Sequence, residues 1–107
     1  MITQTDIQKM ADLIAERFQP EKIILFGSYA RGDATENSDV DLLVIERNEN
    51  ADPKTLRQLA INIRLALYGW KIGIDVLLRT SRQWRETSEC SGTVAAAALH
   101  EGIVLYG

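Results

Sequence analysis

The stretch that decides the fold is GSYARGDATENSDVD, residues 27–41. It follows the apolar run IILF at residues 23–26 and leads into the apolar run LLVI at residues 42–45. Short apolar runs bounded by turn residues are typical of buried β-strands. The segment between them is polar and contains glycine, which is typical of a turn or loop. The sequence therefore predicts two buried strands, with Asp39 and Asp41 at the mouth of the second.

These two aspartates are predicted to point the same way. Residues two positions apart in a strand lie on the same face, about 6.6 Å from each other, so Val40 faces the opposite side and can pack. Like charges about 4 Å apart repel by about 4 kcal/mol at an effective dielectric constant near 20. A cation relieves this repulsion, and oxygen ligands favour hard ions such as Mg²⁺ or Mn²⁺. Taken alone, however, a solvated acidic strand end explains Asp39 and Asp41 equally well.

The spacing resembles the DNA polymerase β-like nucleotidyltransferases, in which Gly-Ser is followed, after ten intervening residues, by Asp-x-Asp. The longer segment GSYARGDATENSDVDLLV is similar to the minimal nucleotidyltransferases, small prokaryotic subunits often paired with a HEPN-domain protein. The resemblance extends from the first predicted helix to about Leu78. It implies an α/β fold, a small mixed β-sheet flanked by helices, with nucleotidyltransferase activity.

Composition sets the broad class. A chain of 107 residues fits one domain, residues 1–107, with a single core. The net charge of −3 gives no basic surface for a long nucleic acid. One cysteine, Cys90, excludes an internal disulfide and a zinc site with several cysteines. No apolar stretch is long enough to span a membrane, and no leader pattern precedes the domain, so we expect a cytoplasmic protein without a membrane partner.

One helix is predicted before the first strand, and another after the second strand. Residues 5–8, TDIQ, match a capping box and predict the start of a helix that ends before Pro20. Asp52 and Pro53 predict the start of another, which Gly69 ends. Beyond Thr80 the pattern predicts a short helix, an alanine-rich helix over residues 93–100 and an edge strand over residues 103–106.

Residues 71–78 predict a third strand, whose apolar positions alternate. Asp75 lies on the other face among apolar neighbours, where a carboxylate is costly unless it is paired or binds a metal ion. In the family that the chain resembles, a third acidic residue on a neighbouring strand completes the metal site. Asp75 is the only carboxylate in this stretch, so the resemblance assigns that role to it.

The resemblance thus implies a catalytic and metal-binding set of Asp39, Asp41 and Asp75. One Mg²⁺ ion, or Mn²⁺, would hold the triphosphate of ATP through Asp39 and Asp41. A second ion, shared with Asp75, would activate the attacking hydroxyl, and Asp75 could also accept its proton.

Three residues near the first turn are assigned to the nucleotide. Gly27 lets the backbone approach phosphate and Ser28 grips it, although a tight turn with a helix cap is the simpler alternative. Arg31 contacts phosphate or supports Asp33, and the sequence favours neither. The segment is not a P-loop, because Asp33 stands where lysine is needed.

Other polar or aromatic residues receive structural interpretations. We expect Tyr29 to shield the loop rather than stack on a base, and Trp84 to serve packing or an interface. His100 is expected at the surface, and Cys90 is expected to be structural.

The resemblance implies transfer of AMP from ATP to a hydroxyl, with release of pyrophosphate. Many relatives carry a further domain that recognises the acceptor, and 107 residues leave no room for one. The expected acceptor is therefore a partner chain: a HEPN toxin, silenced when its tyrosine is adenylylated, with this chain as the antitoxin. Two alternatives remain open. One is an antibiotic-type nucleotidyltransferase acting on a small molecule as a homo-oligomer, and the other is an antitoxin that binds nucleotide or toxin without catalysis.

Overall fold

The computed structural model describes residues 2–88, 92 and 94–107. Within this part of the chain, helices pack on both faces of a four-stranded sheet. The elements in chain order are α1 (Gln4–Phe18), β1 (Lys22–Phe26), α2 (Ser28–Arg31), β2 (Val40–Glu46), α3 (Pro53–Ala66), a 3₁₀ turn (Tyr68–Trp70), β3 (Ile74–Thr80), α4 (Ser81–Ser88), α5 (Val94–Glu101) and β4 (Ile103–Tyr106). None of the described helices has the length and apolar character needed to cross a membrane.

The sheet is mixed, with strand order β3-β2-β1-β4. Strand β1 pairs antiparallel with β2 and with β4, whereas β2 and β3 run parallel. Parallel neighbours need a crossover, and α3 supplies it between β2 and β3. The predicted mixed sheet flanked by helices is confirmed. The crossover brings the beginnings of β2 and β3 to the same end of the sheet.

A separate hydrophobic core lies on each face of the sheet. Helices α1 and α3 bury the larger one, to which β2 contributes Leu42 and Val44. The opposite face, covered by α4 and α5, holds a smaller cluster that includes Leu43, Ile45 and the half-buried Trp84. Because strand side chains alternate between faces, Asp41 belongs to the side of the smaller cluster.

The predicted start of α1 is wrong by two residues. The N-cap is Thr3, whose hydroxyl accepts a hydrogen bond from the Asp6 backbone N–H at 3.1 Å, while the Asp6 carboxylate accepts one from the Thr3 N–H at 3.0 Å. Both Thr3–Asp6 and Thr5–Gln8 have capping-box spacing. The charged Asp6 is the stronger acceptor, and it also interacts favourably with the helix dipole.

The start of α3 is confirmed. Asp52 is the N-cap, its carboxylate accepts a hydrogen bond from the Thr55 N–H at 2.7 Å, and Pro53 stands in the first turn. The apolar residues of this helix and its end lie in the main core, with Leu59 only partly buried: Leu56, Leu59, Ala60, Ile63 and Leu67.

The third strand begins later than predicted, at Ile74 rather than Lys71, and ends at Thr80. Lys71 adopts a left-handed conformation with φ of 53° at the end of the 3₁₀ turn, so it cannot join a strand. The last three elements agree with expectation in type. Cys90 and Thr93 lie outside the described residues.

The polar loop contains the one-turn helix α2, which the sequence analysis did not predict. Its Tyr29 is only 6% exposed and lies in the main core, as expected of a residue that shields the loop. The Tyr29 hydroxyl is buried without a hydrogen-bond partner among the described residues. A buried hydroxyl without a partner costs free energy, because it loses its bonds to water and regains none.

Tyr29→Phe is therefore expected to preserve the fold and to raise the free energy of unfolding by up to about 1 kcal/mol. Chemical denaturation of the two proteins would measure the change. Tyr29→Leu serves as the control, since it removes the ring as well as the hydroxyl and should destabilise the core. A Phe variant less stable than the wild type by more than the experimental error would contradict the interpretation that the Tyr29 hydroxyl has no hydrogen-bond partner.

Candidate active site

Two of the three predicted acids lie side by side. Asp41 at the start of β2 is the direct register partner of Asp75 on β3. Val40, between the two β2-end aspartates, is fully buried, so the predicted division between a packed face and a carboxylate face is found at this position. The parallel pairing of β2 and β3 thus places two carboxylates at one end of the sheet.

The partly buried position of Asp41 beside Asp75 disfavours the charged form of its carboxyl group. The pKa of Asp41 is raised to about 6, mainly by partial burial and then, in order of importance, by the charge of Asp75, a hydrogen bond to Asp75 and the charge of Asp39. The charge of Arg31 acts in the opposite direction. Without a cation, partial burial and the neighbouring acids therefore favour the protonated form of the Asp41 carboxyl.

The expectation that Asp75 is surrounded by apolar neighbours is wrong. Asp75 is exposed, because the strand end on this side of the sheet extends past the small cluster beneath α4 and α5. Desolvation affects Asp41, which is partly buried, and Asp75 contributes its charge. The repulsion between the two carboxylates remains the feature that a cation would relieve.

Asp39 stands apart from this pair. It is exposed, and its carboxylate rests against Gly73, where a Cβ atom would overlap with Asp39 Oδ1. The Val40 N–H donates to the Gly73 carbonyl at 2.9 Å and holds the two segments together. Within residues 2–88, 92 and 94–107, no three acidic, histidine or cysteine side chains form a group that could hold a metal ion.

The donor set nevertheless fits a hard divalent cation. Asp41 and Asp75 offer only oxygen atoms, they repel each other, and their strand end is open to solvent on the Asp75 side. Asp39 is close enough for its charge to raise the pKa of Asp41.

Two features require glycine at position 27: its backbone conformation and the close approach of the Asp41 side chain. Its φ of 74° and ψ of −157° lie in a region that only glycine adopts readily, and a Cβ atom there would overlap with Asp41 Oδ2. Its carbonyl accepts hydrogen bonds from the backbone of Ala30 and Arg31 at 3.1 and 3.0 Å. Gly27 and Ser28 thus form the start of α2, the turn with a helix cap that was the simpler alternative, directly beside Asp41.

Arg31 is held by two carboxylates. Its guanidinium lies 3.2 Å from Asp33 and 3.2 Å from Glu101 at the end of α5. This geometry corresponds to the strut that the sequence analysis offered as one of two roles for Arg31. Its charge still reaches Asp41, whose pKa it lowers.

Two residues of this region were not identified as candidates from the sequence. Gly73 receives the Asp39 side chain, and Glu101 anchors Arg31. A glycine two positions before Asp75 was a signal for a close approach at the strand end. Nothing local to Glu101 identifies its partner 70 residues away.

Two of the remaining candidates take no part in the site. Trp84 packs against the smaller core, and His100 is exposed. Cys90 lies outside the described residues.

Comparison with known proteins gives similar sequences and similar folds. One relative from Methanocaldococcus jannaschii, which bears the name of a protein adenylyltransferase, is 81% identical over 60 residues, covering 52% of this chain and 39% of that protein. The first three curated relatives come from the same organism and bear the same name. The matched part of the chain spans only 25%, 46% and 39% of their lengths.

Two solved structures share the fold. A toxin–antitoxin crystal structure with AMP-PNP has a TM-score of 0.61 at 23% identity, covering 94% of this chain and 73% of that one. A minimal nucleotidyltransferase structure has a TM-score of 0.59 at 22% identity, covering 96% of this chain and 95% of that one. At these identities the likeness concerns the fold, and it confirms the expected nucleotidyltransferase architecture.

The family follows from the sequence as a whole. Residues 7–94 match the family model described as nucleotidyltransferase domain, which includes the Gly27–Ser28 turn, all three candidate acids and most of both cores. The resemblance inferred from residues 27–44 is confirmed: the chain belongs to the nucleotidyltransferase domain family.

Proposed function

We propose that this protein transfers AMP from ATP to a hydroxyl of a partner protein and thereby acts as an antitoxin. The observation that carries the proposal is the pairing of Asp41 with Asp75 across β2 and β3, beside the turn at Gly27. A raised pKa on a carboxyl that faces another acid, as found for Asp41, is typical of functional sites.

The reaction needs little covalent chemistry from the protein. The acceptor oxygen forms a bond to the α-phosphorus of ATP, the bond from that phosphorus to the bridging oxygen breaks, and pyrophosphate leaves. Asp75, the exposed member of the pair, accepts the hydroxyl proton. Asp39 and Asp41 would hold Mg²⁺, which when bound neutralises negative charge on the phosphates and aligns the entering and leaving oxygens.

The turn beside Asp41 would hold the triphosphate. Gly27 has no side chain, so a phosphate can approach the backbone there, and Ser28 offers a hydroxyl at the start of α2. Arg31 would support this turn through Asp33 and Glu101 and add positive charge near the phosphates.

The antitoxin part of the proposal rests on the comparisons and on the resemblance. The similar proteins bear the name of protein adenylyltransferases, and one similar fold comes from a toxin–antitoxin crystal with an ATP analogue. By the resemblance the acceptor is the tyrosine of a HEPN-domain toxin, whose RNase activity the added AMP would block.

Incubation of the purified chain with a candidate HEPN-domain toxin, labelled ATP and Mg²⁺ tests the proposal. We expect label on the toxin, a mass increase of whole AMP units, and loss of both in Asp39→Asn. Glu36→Gln is the matched control, because it removes one exposed carboxylate of the same loop. Chelation of the metal should abolish transfer by the wild type.

Two results would contradict this function. If Asp39→Asn still silences the toxin as well as the wild type, silencing is steric and needs no transfer. If label appears on a small-molecule hydroxyl but never on the toxin, the acceptor is not a protein.

A further inference from the structure

A groove lies between helix α3 and the outer edge of strand β3. It encloses about 450 Å³, and residues 76–79 of β3 line it together with residues of α3. A second depression of about 360 Å³ continues from Arg64 toward Tyr68 and Lys71. Since strand side chains alternate between faces, four consecutive lining residues mean that the strand borders the groove with its edge.

The backbone of this edge is accessible. In the described part of the chain β3 pairs only with β2, so its other side has no neighbouring strand. The Arg79 guanidinium lies along this strand and donates a hydrogen bond to the Leu78 carbonyl at 2.8 Å. Open edges of this kind accept a further strand from another chain.

The groove is positively charged in an acidic protein. Arg57, Arg64 and Arg79 line it, and neither depression is lined by an aspartate or glutamate. None of these three arginines forms an ion pair with a carboxylate of residues 2–88, 92 or 94–107. The chain as a whole carries a net charge of −3. The groove is therefore complementary to an acidic ligand.

The same surface is also apolar. Ile61, which lines the groove, is 43% exposed, and Tyr68, which lines the second depression, is 79% exposed. Large exposed apolar side chains next to arginines are characteristic of protein interfaces, where tyrosine and arginine are enriched.

We propose that this groove binds an extended acidic segment of the partner protein, which adds to the sheet along β3. Backbone groups of the segment would pair with β3, its acidic side chains would meet Arg57 and Arg79, and its apolar residues would lie on Ile61. A second copy of this chain fits poorly, because a twofold contact would bring like charges together. The inference rests on the proposed function only in taking the partner to be the protein that receives AMP.

The probe is a short synthetic peptide that alternates glutamate with valine, titrated into the isotope-labelled chain and followed by amide NMR. We expect shifts concentrated on residues 74–80 and on the groove side of α3. The double variant Arg57→Glu/Arg79→Glu should weaken binding by about tenfold or more, since attraction becomes repulsion at two positions. Arg17→Glu is the matched control, because this exposed arginine of α1 does not line the groove.

Further peptides separate strand addition from simple charge attraction. A lysine–valine peptide should not bind, and a glutamate–valine peptide with a central proline should bind more weakly, because proline cannot donate to the ladder. Equal binding of the proline peptide, retained binding by the double variant, or displacement of the acidic peptide by an oligouridylate would each overturn the proposal.

The partner itself distinguishes this inference from the proposed function. We expect the double variant to lose copurification with the toxin while it keeps its affinity for Mg²⁺ and ATP. Unimpaired copurification of the double variant with the toxin would contradict the proposal that this groove binds the partner. A wild-type complex that forms fully but never transfers AMP would instead contradict the proposed function and leave the groove supported.

Discussion

Asp41→Asn should abolish AMP transfer and at the same time make the metal-free protein more stable at pH 7. Transfer is expected to fall by at least about 10²-fold, because the variant loses a charged group at the reacting phosphate. Stability should rise because the substitution removes a partly buried charge, which the charge of Asp75 across β2 and β3 disfavours further. Thermal unfolding in a chelator measures the second effect independently of any partner.

The pH dependence of this gain follows from the pKa of Asp41. The folded value is about 6, above the ordinary value of 3.8, so between these pH values the folded state binds more protons than the unfolded state. Wild-type stability therefore falls as pH rises from about 4 to about 6, and the full destabilisation persists above that range. The Asn variant lacks this loss, so the difference in Tm should be small at pH 4 and largest above pH 6.

Solvent screening limits how much Asp41→Asn can raise the free energy of unfolding. A shift from 3.8 to about 6 would correspond to about 3 kcal/mol for a fully buried group. Asp41 is only partly buried, and solvent screening reduces this to about 1 kcal/mol, or a Tm increase of about 4 °C. Glu36→Gln should change Tm little at any pH. An Asn variant that melts below the wild type in chelator at pH 7 would contradict the predicted repulsion.

Magnesium should reverse the order of the two proteins. A ligand that binds only the folded state stabilises it, so Mg²⁺ is expected to raise the Tm of the wild type and to have much less effect on Asp41→Asn. The site would then be an example of stability given up for function, in which carboxylates are held together at a net cost until the cation arrives.

The strands of this fold were predictable because their signals are local. Residues 23–26 and 42–45 are apolar runs bounded by turn residues, and Asp52 with Pro53 is a direct helix start. Boundaries were less reliable where the deciding feature is a backbone angle. The left-handed Lys71 delays β3 by three residues, and no property of a lysine in the sequence indicates it.

The site was predictable in composition but not in conformation. The resemblance brought Asp75 together with Asp41, and the register agrees. The exposure of Asp75 depends on how far α4 and α5 extend over the sheet, which is a property of tertiary packing. The position of Asp39 depends on Gly73, a contact between separate segments that sequence spacing cannot give.

Gly27→Ala should abolish the proposed AMP transfer through Asp41 while leaving all three candidate acids in the chain. A Cβ atom at residue 27 would overlap with Asp41 Oδ2, so the carboxylate must move or β1 and β2 must separate. The φ of 74° with ψ of −157° adds backbone strain, and together these effects should destabilise the fold by roughly 2 kcal/mol. Displacement of Asp41 is expected to reduce AMP transfer by about 10²-fold or more.

Gly32→Ala separates the two causes, because Gly32 also has a positive φ, of 87°, but has no atom within 4 Å of the added Cβ. That variant should lose about 1 kcal/mol of stability from the left-handed backbone alone and keep its activity. If both alanine variants lost activity equally, strain in the loop would explain the effect. If Gly27→Ala remained active, the contact between residue 27 and Asp41 would have no part in catalysis. Inactivation confined to Gly27→Ala would instead show that the empty space at residue 27 exists to seat the Asp41 carboxylate.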